Sequence, residues 1–82
     1  MQREVTVKFS NSTEETSIAH LVQLANQFKS SIYFEMGTVR VNAKSIMGMY
    51  SLILATGTTV TIDAEGEDEI NAVEKLTDFL TH

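Results

Sequence analysis

Residues 31–42 read SIYFEMGTVRVN. Ile32, Phe34 and Met36 fall on alternate positions, Val39 and Val41 do the same, and Gly37 lies between the two runs. This is the pattern of a β-hairpin whose strands each bury one face. Alternation of this one-sided kind favours an antiparallel sheet with the opposite face left in water.

Outward from the hairpin, the rest of the chain supplies the other strands and their cover. Upstream, Ile18, Leu21, Val22, Ala25 and Phe28 recur at steps of three and four, which predicts a helix ending near Lys29. Ser12 with Glu15, or Thr13 with Thr16, supplies its capping residues. Before it, EVTVKF alternates Val5, Val7 and Phe9 against Thr6 and Lys8, as a first strand. Downstream, Ser45 to Leu54 reads as a short helix, with Ser45 to cap its start and Gly57 after its end. TTVTIDAEG then alternates Val60, Ile62 and Ala64 as a fourth strand. After Gly66, EDEINAVEKLTDFL places Ile70, Val73, Leu76 and Leu80 on one stripe of a last helix, with Glu67, Asp68 and Glu69 at its positive end. The order β-α-β-β-α-β-α predicts an α+β open-faced sandwich, with a four-stranded antiparallel sheet covered on one face by three helices.

The 82 residues suit one domain spanning 1–82, with no linker, repeat or low-complexity segment. A hydrophobic share of 43% with 21% charged residues is that of an ordinary globular chain. No apolar run approaches the ~20 residues of a membrane helix, and MQREVTVKF lacks the features of a signal peptide, so a cytoplasmic location is expected. Cysteine is absent, which removes disulfides, thiolate metal sites and a cysteine nucleophile. The net charge of -5 argues against nucleic acid and anionic membrane as partners and favours a protein.

Catalytic chemistry finds little support. His20 and His82 are the only histidines, and neither has a second ligand at zinc-site spacing, so no metal or other cofactor is expected. No serine-histidine-carboxylate set or glycine-flanked nucleophile is recognisable, and glycines 37, 48, 57 and 66 are too scattered to cradle a phosphate. His20 falls at the edge of the first helix's apolar stripe, where a partly exposed histidine needs no chemical role. The informative stretch is VNAKSIMGMYSLILATG, residues 41–57. Ile46, Met47, Met49 and Tyr50 are more apolar side chains than one short helix can bury. Pattern alone reads them either as core or as an adaptable docking surface, and reads Ser45 as a helix cap.

That stretch resembles the HPr-like family, which comprises the histidine-containing phosphocarrier protein of the bacterial sugar phosphotransferase system and its catabolite-repression paralogue Crh. VNAKSIMG followed by SL and a TGT turn is similar to the family's regulatory serine region. LVQLANQFKSSI and AEGEDEINAVEKL extend the likeness almost end to end. The resemblance implies that Ser45 is the target of HPr kinase/phosphorylase, and that Ile46, Met47, Tyr50, Lys44 and His20 contact partners such as catabolite control protein A or enzyme I. A phosphate at a helix start meets free N–H groups and the positive end of the dipole. The resemblance further implies a monomer or a strand-exchanged dimer.

The departure from the family lies in SNSTEETSIAH, residues 10–20. Relatives hold a phosphate-accepting histidine, an arginine and a proline there, whereas this chain aligns Glu14, Thr16 and Ser17 with them. Two like unit charges about 6 Å apart at an effective dielectric of ~20 repel by roughly 3 kcal/mol, so Glu14 and Glu15 oppose a phosphate beside them. The reading is therefore a non-enzymatic, Crh-like regulatory module in carbon catabolite control, phosphorylated on Ser45. Two rivals accompany it: a phosphocarrier working through a non-standard residue such as His20, and a diverged interaction module without phosphorylation. In the interaction module Glu14 with Glu15 caps a helix; a separate reading has Glu14 imitate a phosphohistidine with its fixed charge.

Overall fold

The computed structural model describes residues 1–8, 14–52 and 57–81. Among these the elements follow the expected order: β1 (Gln2–Thr6), α1 (Glu14–Ala25), β2 (Ser31–Met36), β3 (Val39–Asn42), α2 (Ile46–Tyr50), β4 (Thr59–Glu65) and α3 (Glu69–Leu80). The central hairpin forms as its alternation predicts, with Met36 opposite Val39 and Phe34 opposite Val41. Gly37 takes a φ of 63° at the first position of the two-residue loop, where a β-carbon would be strained.

The sheet has the order β1-β4-β2-β3, and each neighbouring pair is antiparallel. Alternation divides it into two faces. Val5, Ile32, Phe34, Val60, Ile62 and Ala64 are buried beneath the helices, together with Leu21 and Ala25 of α1 and Val73, Leu76 and Leu80 of α3. Residues of the opposite parity form the open face. There the Arg40 guanidinium lies 4.3 Å over the Tyr33 ring and bonds Asp63 at 3.0 Å, with Glu35 at 3.2 Å. The expected α+β sandwich is present, and its one-sided cover explains why one set of strand positions is apolar and the other is not.

Several local expectations need correction. β1 covers Gln2–Thr6 rather than residues 4–9. Val7 is buried just past its end, bonded through its N–H to Thr58 O at 2.8 Å and through its carbonyl to Gly57 N at 2.8 Å, while Phe9 lies outside the described residues. α1 stops at Ala25 instead of near Lys29. The Asn26 side-chain amide donates to Val22 O at 2.9 Å, and Gln27 and Phe28 donate to carbonyls three residues back, so the helix closes in tightened turns. Ile70 is 59% exposed rather than part of the α3 stripe, which consists of Ala72, Val73, Leu76 and Leu80. At 100° per residue Ile70 lies about 100° round the helix from the centre of those four.

The acidic start of α3 also does more than favour its own dipole. Asp68 makes no side-chain bond to its own helix. Its carboxylate accepts the N–H groups of Lys29 and Ser30, each at 2.9 Å, and the Ser30 hydroxyl. Glu69 accepts from Gly66 N at 3.4 Å and pairs with the Met1 ammonium at 3.1 Å. The proposed capping pairs of Ser12 with Glu15 and Thr13 with Thr16 lie outside the described residues, as do the side chains of Glu14, Thr16 and Ser17.

Candidate functional site

The NAKSIMG turn leaves the edge strand β3 and enters α2. Asn42 organises it: its carbonyl accepts the Ser45 N–H at 3.0 Å and its side-chain oxygen accepts the Lys44 N–H at 2.9 Å. Ser45 then sits in an extended conformation, with φ -102° and ψ 113°, as the N-cap. Its hydroxyl oxygen accepts the Gly48 N–H at 3.3 Å and its carbonyl accepts the Met49 N–H at 2.9 Å. Serine favours this position because its short side chain meets an N–H group that the helix itself leaves unused.

Helical geometry then sorts the apolar residues of α2. Ile46, Met47 and Tyr50 share an arc of about 100°, whereas Met49 lies about 110° from the arc's centre. Met49 is buried in the core. Ile46, Met47 and Tyr50 are 42%, 80% and 46% exposed, so three apolar side chains stand in water beside an exposed serine. Tertiary packing thus divides the stretch into one core residue, Met49, and three exposed ones.

Lys44 is placed differently from its neighbours. Its ammonium donates to Phe28 O at 2.6 Å, just past α1, and its carbonyl accepts from the Asn26 side chain at 3.2 Å. Asn26, which the sequence reading passed over, thus joins the end of α1 to the residue before Ser45. The signal for it was an asparagine directly after Ala25, a residue type that bonds backbone groups where a helix ends. His20 is exposed on α1, the helix that packs against α2. Glu14 and Thr16 lie in the first turn of α1.

Among the described residues no group of three or more His, Cys, Asp or Glu side chains is placed to hold a metal ion, and no helix is long and apolar enough to cross a membrane.

A family model described as "PTS HPr component phosphorylation site" matches residues 1–82. The chain belongs to the HPr family. Among curated proteins this HPr-family chain is 44% identical over 80 residues to "HPr-like protein Crh" of Bacillus subtilis (strain 168), covering 98% of this chain and 94% of that one. Among solved structures, the phosphocarrier protein HPr from Bacillus anthracis str. Ames superposes with a TM-score of 0.91 at 40% identity, over 98% of this chain and 95% of its own. The crystal structure of Bacillus subtilis Crh, described as a catabolite repression protein in a dimer with a swapping domain, gives a TM-score of 0.76 at 44% identity, over 98% and 92%. Membership accounts for the β-α-β-β-α-β-α order and relates the protein to the sugar phosphotransferase system.

Proposed function

We propose that this HPr-family chain is a non-catalytic, cytoplasmic regulatory module, phosphorylated on Ser45 by HPr kinase/phosphorylase and acting in carbon catabolite control. The observation that carries the proposal is the exposed Ser45 cap beside the exposed Ile46, Met47 and Tyr50. Phosphorylation adds about two negative charges and three acceptor oxygens at the positive end of α2. Placed next to an apolar docking patch, that charge changes which partner the patch accepts. Catabolite control protein A and enzyme I are the partners proposed by family resemblance. Glu14 at the family's histidine position supports a regulatory role over a phosphocarrier one.

The test is incubation with HPr kinase/phosphorylase, ATP and magnesium, followed by intact mass measurement. One added phosphate is expected on the wild type and none on Ser45→Ala; an unmodified wild type refutes the proposal. Labelling of the chain by enzyme I and phosphoenolpyruvate would instead favour the phosphocarrier reading through His20.

The swapped Crh dimer favours a second proposal, that this chain also forms a strand-exchanged dimer. β1 is an edge strand that pairs with β4 alone, so its exchange between two copies restores the same pairings. Sedimentation that shows a monomer at all concentrations rules this out.

A further inference from the structure

The chain holds four methionines, Met1, Met36, Met47 and Met49, and no cysteine. Thioethers are therefore its most oxidisable side chains, with no thiol to compete for an oxidant. The fold treats the four very differently. Met49 is fully buried, Met36 packs half-buried against the core, Met1 is 39% exposed and Met47 is 80% exposed. Met47 and Met49 are two residues apart on one five-residue helix, yet one thioether lies in solvent and the other inside the core.

We propose that Met47 is a reversible oxidation site: a peroxide takes it before the other methionines, and the resulting sulfoxide closes the apolar patch of Ile46, Met47 and Tyr50 to partners. The Met47 sulfur attacks one oxygen of hydrogen peroxide. An S–O bond forms, the O–O bond breaks, and the departing hydroxide takes up a proton as the sulfur-bound hydroxyl loses one, leaving the sulfoxide and water. Sulfur is oxidised by two electrons and the peroxide is reduced by two. Methionine sulfoxide reductase reverses the step with a dithiol, the oxygen leaving as water while the dithiol becomes a disulfide. The sulfoxide oxygen is a strong acceptor that an apolar partner surface leaves unpaired, so docking is opposed. Met47 contributes little to the core while Met49 anchors α2, so oxidation at Met47 alters the surface without loosening the fold. The closing of the patch rests on the docking role proposed above; the oxidation site does not.

The experiment treats the full chain with limiting hydrogen peroxide and locates sulfoxides by tandem mass spectrometry, which separates Met47 from Met49 within one peptide. Met47 is expected to oxidise first, with Met49 slower by about tenfold or more, as exposure dictates. The singly oxidised protein should keep its Tm and return to the starting mass with the two methionine sulfoxide reductases together, one for each sulfoxide epimer. Oxidation of Met1, Met36 or Met49 ahead of Met47, a fall in Tm, or resistance to the reductases overturns the site. In a second arm, Ser45 phosphorylation of the Met47 sulfoxide form should be slower by roughly threefold or more. Met47→Leu, whatever its own starting rate, should lose any dependence on peroxide. An equal rate for the oxidised form overturns the closing of the patch. Absence of phosphorylation on the untreated chain overturns the Ser45 proposal instead, and leaves the site to be decided by the mass map.

Discussion

Asp68, at the start of α3, holds Ser30, at the entry to β2, through two bonds to one oxygen: the Ser30 N–H at 2.9 Å and the Ser30 hydroxyl. The other carboxylate oxygen takes the Lys29 N–H at 2.9 Å. Ser30 is almost wholly buried, and this carboxylate supplies its partner.

The Ser30 hydroxyl, then the Lys29 N–H, holds the Asp68 carboxyl down at about 2, from an ordinary value of 3.8. A carboxylate depressed in the folded state stabilises it above the unfolded value and loses that effect as pH falls through the folded value. Thermal stability should therefore decline between pH 3.8 and about 2. Asp68→Asn should start from a lower Tm at neutral pH and decline less across the same window. Equal slopes for the two proteins would show that this carboxylate does not govern the acid limb.

Gly66 precedes this junction with a φ of 152°, and a β-carbon there would lie 2.6 Å from Ser30 Oγ and 2.8 Å from Ser30 Cα. Gly66→Ala should cost about 2 kcal/mol, the scale of a strained backbone position. Because the obstruction includes the Ser30 backbone, adding Ser30→Ala should not restore stability. Recovery of the urea midpoint in the double variant would contradict this account.

The Ser45 cap gives a prediction separate from phosphorylation. Ser45→Ala removes the acceptor of the Gly48 N–H and should cost about 1 kcal/mol, while Ser45→Asp, an equally good N-cap, should stay within about 0.5 kcal/mol of wild type. Urea denaturation measures both. Equal losses in the two variants would mean that the hydroxyl does not cap α2.

Gly48 is the opposite case from Gly66. A β-carbon there would meet Ser45 Oγ at 3.5 Å and Val41 Cβ at 3.6 Å, ordinary contacts that need no movement. Gly48→Ala should therefore stabilise the protein by about 0.5–1 kcal/mol, through the entropy that glycine loses inside a helix. For a domain of this size that is a rise in Tm of roughly 2–8 °C, and a fall would point to strain at α2.

Local patterning determined most of the architecture. Period-two runs marked the four strands, and steps of three and four marked α1 and α3, because each element buries one face and writes that face into its own sequence. The NAKSIMG stretch similarly marked Ser45 as a cap beside surplus apolar residues, since both follow from a short helix starting there. Only the tertiary structure decided which surplus residues remain outside: Met49 is covered by the core, while Ile46, Met47 and Tyr50 are left in water. It alone turned Asp68 from its own helix toward Ser30 and Lys44 toward Phe28. These two contacts join groups 38 and 16 residues apart in the chain, and periodicity records which face of an element is apolar but not which distant atoms arrive to meet it.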